Sequence, residues 1–358
     1  MTAFHLSTTG ADRERWISLL DALPNGSRDI HFHPDYMRIY ERTYPDQTAH
    51  LLVYEGTGGT ICKPIVSKGI PGTDYCDISS VYGYGGPLTI GSPTEDDLGR
   101  FDDAVQASAT SLGAISEFCL LHPLLGDAQK VLLSSNEPVT YRKEVVVVDL
   151  SQSLGEIWRR IEDRQRKAAL AARKAGLVVR ASDLSEADIA RFQVMYLKTM
   201  ENVGARAFWH FPDDYFHNCA AALGFDGTSL FHAEKDGEVA ASVFHIHMYD
   251  TVYYHFSCSD PDSRQLNATS LLLLDSLIWA KGAGYRWFHL GGGRTDGEDP
   301  LFTFKRAFSG ETKPLFSTQR ILDTQTYDTL TAATKQREAS ALGQPRETSF
   351  FPRYRLQT

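Results

Sequence analysis

Residues 229–290 hold three strand-forming runs, a long apolar helix and a returning strand, and that order leaves few folds open. The runs 229–235, 239–249 and 251–257 are rich in branched and aromatic residues. They are separated by the turns Lys235-Asp236-Gly237-Glu238 and Met248-Tyr249-Asp250-Thr251, and connections this short join antiparallel neighbours. Residues 267–281 then have the length and apolar content of a buried helix, and 285–290 return as a strand. A mostly antiparallel mixed sheet flanked by helices is the expected product.

The first half runs in a similar order. A strand pair is expected at 50–55 and 59–67 around Glu55-Gly56-Thr57-Gly58-Gly59, a helix at 98–112, and strands in 116–122 and 143–150. Helices at 187–200 and 213–223 precede the three-strand run. The fold class expected is therefore α/β in the α+β sense, with two related units and a cleft between them. The boundaries fall at 1–150, 151–328 and a C-terminal helix and tail at 329–358, with Phe350, Phe351 and Tyr354 docking back.

Composition narrows the function classes. With 36 Lys and Arg against 45 Asp and Glu, the net charge is −9, unlike a protein that coats nucleic acid. DNA binding is not expected, and contact with RNA must be local. The 25 residues from Glu156 to Arg180 offer such a locus: they carry Arg159, Arg160, Arg164, Arg166, Lys167, Arg173, Lys174 and Arg180, and all but Arg180 lie on one expected helix, with Ser153 and Glu156 as its capping box and Gly176 as its stop. The same helix reads equally as a solvated amphipathic face balanced by Glu162 and Asp163. No run approaches the roughly 18 apolar residues of a membrane span, and the N-terminus lacks an apolar leader, so a cytoplasmic protein is expected. Five scattered cysteines without a CxxC pair argue against a disulfide framework or a zinc site. No metal is expected, and His245 and His247 read as ordinary strand residues.

Chemistry concentrates in 284–310, where a strand runs into Gly291-Gly292-Gly293 and on to Leu301-Phe302-Thr303-Phe304-Lys305-Arg306-Ala307-Phe308. A lysine among aromatics is either partly desolvated or a snorkelling surface residue. The glycines provide a turn and not a phosphate cradle, since no helix starts directly after Gly293.

Four segments together resemble the Fem-type aminoacyltransferases, a branch of the GNAT acyltransferase superfamily built from two GNAT-like units. They are Tyr82-Gly83-Tyr84-Gly85-Gly86-Pro87, the Val145–Leu150 run followed by the basic helix, the stretch 259–292, and 301–310. The resemblance implies transfer of an aminoacyl group from aminoacyl-tRNA, as co-substrate and without a bound cofactor, to an amine. The acceptor is a peptidoglycan precursor or a peptide or nucleoside natural-product intermediate. It assigns Lys305 to the oxyanion and the Phe304 carbonyl to the attacking amine. Tyr254 and, more weakly, Ser257 are expected to reach the same cleft, and Tyr82, Tyr84, Arg206 and Arg294 to shape the acceptor site. Arg264 stands at the leading Gln/Arg position of a GNAT pyrophosphate loop, and Asn267 and Thr269 stand where that loop carries glycines.

This chain departs from the family pattern in places. No acidic residue follows Gly85-Gly86-Pro87, and Tyr40 occupies the place of a nucleotide-binding lysine, with Arg38 near it. A coenzyme A-dependent GNAT N-acyltransferase and a non-catalytic GNAT-like binding module are the alternatives. A simple N-cap is the other reading of Asn267.

Overall fold

The computed structural model describes residues 2–133, 137–205, 209–295 and 297–356, and of Arg264 the backbone alone. The chain forms two compact units, one of Met1–Ser27, His31–Arg142 and Leu315–Thr358, the other of Arg28–Ile30 and Lys143–Pro314.

The first unit starts with β1 (Thr2–Leu6), α1 (Gly10–Asp21), α2 (Pro34–Thr43) and β2 (Gln47–Glu55). It continues through β3 (Gly59–Gly69), β4 (Cys76–Ser79), β5 (Leu88–Gly91), α3 (Glu95–Leu112), β6 (Ala114–Leu120) and α4 (Gly126–Lys130). The β2–β3 hairpin is antiparallel as its sequence requires, with Glu55 opposite Thr60. Its loop is clamped by Asp97: one carboxylate oxygen accepts from Thr57 N at 3.0 Å, the other from Gly58 N at 2.9 Å and Thr94 N at 3.0 Å. That same carboxylate completes the capping box of α3, so one residue fixes a helix start and a hairpin together.

Strand β7 (Val139–Asp149) carries the chain from one unit to the other. The second unit comprises α5 (Leu154–Arg160), α6 (Asp163–Lys174), β8 (Val178–Ala181), α7 (Glu186–Asn202), α8 (Tyr215–Gly227), β9 (Thr228–Lys235), β10 (Glu238–Met248) and β11 (Thr251–Ser259). It ends with α9 (Ala268–Gly282), β12 (Trp287–Gly291) and α10 (Pro300–Arg306). Its strands run in the order β7-β12-β11-β10-β9-β8. Asp236 and Gly237 both take positive φ, the geometry a two-residue hairpin turn needs. The core under one face joins Val146, Val148, Phe231, Val243, Val252, Leu272, Phe288 and Phe308. The opposite face packs Phe192, Tyr196 and Phe216 against Phe244 and Phe256.

The chain then returns along β13 (Thr312–Ile321) to α11 (Thr324–Leu342). Strand β13 pairs antiparallel with β6, Ser317 opposite Leu120, so the C-terminal residues belong with the first unit and the division differs from 1–150, 151–328 and 329–358. Non-local pairing of this kind leaves no local trace in a sequence. The tail does dock, within the first unit: Tyr354 is buried and hydrogen-bonds Asp77 and Ser116, and Phe351 stacks on Tyr327 at 5.8 Å. Phe350 remains exposed.

The basic segment is a second difference. It is two helices, not one, because Ile161 leaves helical geometry at ψ 127° and Glu162 N donates to Ala307 O at 2.8 Å. The capping box of Ser153 and Glu156 and the positive φ of Gly176 stand as expected. No helix among the described residues is long and apolar enough to cross a membrane.

Candidate functional site

The second unit turns a short strand end into a lysine site. Strand β12 finishes at Gly291 with φ +75°, and α10 begins nine residues later with Asp299 as N-cap and Pro300 at its first turn. The Asp299 carboxylate accepts from Phe302 N at 2.9 Å to cap the helix, and from Thr295 N at 2.9 Å to pin the loop back on it. Gly293 has to be glycine here, since a Cβ would lie 2.5 Å from Asp299 Oδ2. In the last turn Lys305 extends its Nζ to Gly292 O at 2.9 Å.

Lys305 is 9 % exposed, which removes the reading of a surface lysine. Phe304 and Phe308 meet at 5.4 Å beside it, and Phe302 is buried in the same core. Burial, followed by the like charge of Lys143, brings its pKa down to about 8, with Asp299 opposing. No carboxylate lies within ion-pair distance of Lys305 among the described residues. The Phe304 carbonyl is also unclaimed by the backbone that follows, because Phe308 N turns to Lys305 O and Ala307 N to Thr303 O.

An opening between strands lies next to this loop. Strands β11 and β12 are parallel neighbours over only three pairs, from Thr251–Trp287 to Tyr253–His289, although β11 continues to Ser259 and β12 to Gly291. A bulge shifts β10 against β11 at the same level, between Phe244 and His245. Bulges at such places re-aim side chains. Tyr254 is the first residue past the last pair. It is buried, and its hydroxyl has no hydrogen-bond partner among the described residues. Burial drives its pKa up, opposed by the hydroxyl of half-buried Ser257. His245 stands opposite at a ring distance of 6.0 Å, and burial holds it neutral with a pKa of about 3. His247 is satisfied by Ser229 Oγ and Tyr285 OH, each at 2.8 Å.

The other residues singled out from the sequence scatter. Asn267 is the N-cap of α9, as one of its two readings has it, but with φ 54° and no side-chain cap bond. It holds the left-handed conformation that a glycine would adopt there. Thr269 is half-buried in the first turn of α9. Arg294 is exposed, with one guanidinium nitrogen 3.4 Å from Val203 O. Arg206 lies outside the described residues, as does the side chain of Arg264. In the basic segment Arg160, Arg164, Arg166, Lys167, Arg173 and Arg180 all have carboxylate partners, which leaves less free positive charge than the sequence suggests.

In the first unit, Tyr82 and Tyr84 belong to a loop that the rest of the unit grips. Tyr82 O accepts from Tyr36 OH at 2.8 Å and Tyr40 OH at 3.2 Å. Tyr40 is thus a buried loop anchor, and Arg38 is half-buried. Tyr84 packs edge-on to His31 at 5.1 Å and His122 at 5.3 Å. Gly83 lies so near His31 that a Cβ would sit 2.2 Å from its Nε2. The Gln129 amide donates to Gly85 O and accepts from His122 N, each at 2.8 Å. Deeper in that unit, Lys63 pairs with Glu117 at 2.7 Å and Glu137 at 3.6 Å, all three buried.

Sequence reasoning missed Lys143, Asp299, Tyr36, His31, His122 and Gln129. Asp299 carried the one usable signal, an Asp-Pro pair before an apolar helix, which marks an N-cap. The others depend on residues distant in the chain.

Residues 159–306 match the family model described as the acetyltransferase (GNAT) domain. No curated protein sequence matches the chain. Among solved structures it is similar to FemX, with a TM-score of 0.70 at 13% identity over 92% of this chain and 99% of the other. A tandem GNAT protein from the clavulanic acid biosynthesis pathway gives 0.52 at 13% identity, covering 88% of this chain and 98% of that one. L-PGS from Bacillus licheniformis also gives 0.52, at 11% identity over 88% and 93%. The fold is therefore the Fem-like tandem GNAT fold, with two GNAT-like units in one chain. The GNAT domain and this fold support placing the protein among the acyltransferases.

Proposed function

We propose that this protein is an aminoacyltransferase that moves an aminoacyl group from aminoacyl-tRNA to the amine of a soluble small-molecule or peptide acceptor. One observation carries the reading: a buried lysine that has no carboxylate partner among the described residues, fixed beside the place where β11 and β12 part. A buried charge left without a counter-ion costs stability, so its presence fits a task.

Aminolysis of an ester needs alignment of a neutral amine with the carbonyl and stabilisation of the tetrahedral oxyanion. Lys305, as ammonium, supplies the second. The Phe304 carbonyl, unclaimed by the following turn, accepts a hydrogen bond from the attacking amine and aims it. Tyr254, buried at the end of the paired stretch, borders the donor's path between the strands. Arg206, Arg294 and Ser257, in lesser roles, contribute to acceptor binding. The local basic segment serves the tRNA end, and its ion pairs keep that contact small.

Acyl-coenzyme A as donor is favoured by one feature. Asn267 preserves a glycine-like backbone at the start of α9, and helix starts of that kind accept phosphate. Incubation with tRNA pools charged with labelled amino acids, with and without RNase, tests the donor. RNase-sensitive labelling of an amine acceptor is expected; full turnover of acetyl-coenzyme A in a tRNA-free mixture would replace the proposal with the second reading.

A further inference from the structure

The glycine loop after β12 is held by two ammonium groups, and the proposed acyl transfer uses one of them. Lys143, on β7, donates to Gly293 O at 3.0 Å and to Thr295 O at 3.2 Å. Lys305, on α10, donates to Gly292 O at 2.9 Å. Two cations thus share successive carbonyls of one short loop. The Lys143 stem is packed there, since a Cβ on Gly292 would come within 3.2 Å of its Cδ and Cε. Among the described residues, the charged groups acting on Lys305 are Lys143 from β7 and Asp299 from the start of α10. Asp299 is engaged by the N–H groups of Thr295 and Phe302, and neighbouring Arg306 is turned onto Glu298.

We propose that Lys143 is a positioning residue that makes Lys305 a proton shuttle instead of a fixed cation. This rests on the acyl-transfer reading of the Lys305 site. The acceptor's neutral amine attacks the ester carbonyl carbon; a C–N bond forms, the carbonyl π pair moves to oxygen, and the Lys305 ammonium hydrogen-bonds that oxyanion. On collapse the ester C–O bond breaks and its electron pair goes to the leaving alcohol oxygen, which takes a proton from Lys305. Neutral Lys305 then accepts the surplus proton of the newly bonded nitrogen. Ester and amine become amide and alcohol, with no net proton consumed.

A lysine of ordinary basicity releases its proton too reluctantly for this exchange, and a like charge on the same loop loosens it. The pKa of about 8, to which Lys143 contributes after burial, agrees with this geometry.

The test is heteronuclear NMR titration of lysine-labelled full-length protein, in the parent and in Lys143→Gln and Lys143→Arg. Lys143→Gln removes the charge while keeping a hydrogen-bond donor, and Lys143→Arg keeps both. An upward shift of the Lys305 midpoint in Lys143→Gln, restored in Lys143→Arg and matched by the alkaline limb of kcat/KM, is expected. An unchanged midpoint in folded Lys143→Gln overturns the proposal. Should that variant not fold, the parent still decides: the two lysines should titrate in two coupled steps, and a simple one-proton curve for Lys305 overturns the proposal. Coupled titration without acyl transfer from any donor would sink the functional reading instead.

Discussion

A lysine with its ammonium in the protein interior weakens the fold that holds it. In the unfolded chain Lys305 has the ordinary pKa of 10.5, against about 8 when folded. Between those values the unfolded state binds more protons, so stability rises with pH through that window and the full penalty applies below it. The difference corresponds to about 3 kcal/mol. Lys305→Met should therefore unfold at higher urea than the parent at pH 7, with the gap closing toward pH 10.5; a gap independent of pH would contradict the burial. The same variant should lose about a hundredfold in transfer rate, as removal of one oxyanion donor does. Lys305 is legible in the sequence because its own neighbours, Phe302, Phe304 and Phe308, mark it as a cation set among aromatics. Lys143 stayed hidden because its link to Gly293 spans 150 positions, and nothing in its own neighbourhood, Arg142-Lys143-Glu144-Val145, marks it.

Elements were legible where a local rule decides them and illegible where a partner does. The hairpin at Asp236-Gly237, the capping box of Ser153 and Glu156 and the stop at Gly176 follow from residues within one turn. The break at Ile161 does not, because the N–H that would continue the helix is taken by Ala307 O. The loop Tyr82–Pro87 behaves likewise: its glycines are plain in the sequence, their purpose is not. Gly83 has φ +128° and no room for a Cβ against His31. Gly83→Ala should cost at least about 2 kcal/mol in denaturant unfolding, through strain and displacement of the His31 ring. A loss under about 0.5 kcal/mol, the range of neutral surface changes, would show that the loop is not gripped as described.

At the level of the chain, the alternation of strands and helices was enough to indicate two α/β units. It could not show that the C-terminal 44 residues, Leu315–Thr358, belong with the first of them. That membership has a consequence within the first unit. Asp77 is buried against Ser116, Tyr354 and Arg355, and the tail supplies two of these partners. Ending the chain after Ile321 leaves Asp77 exposed to loss of both, so the first unit should melt earlier and become protease-sensitive around β4 and β6, as limited proteolysis with mass mapping can read. Unchanged cleavage there would mean the tail is dispensable.

In the proposed reaction Lys305, in a Fem-like tandem GNAT fold, helps form an amide from an aminoacyl ester. Its most direct measurement is transfer of labelled amino acid from a charged tRNA pool to an amine acceptor, read by mass, for the parent and Lys305→Ala with and without RNase. A product that RNase abolishes and that falls about a hundredfold in Lys305→Ala is expected. Equal product from both proteins, or product that survives RNase, would contradict it.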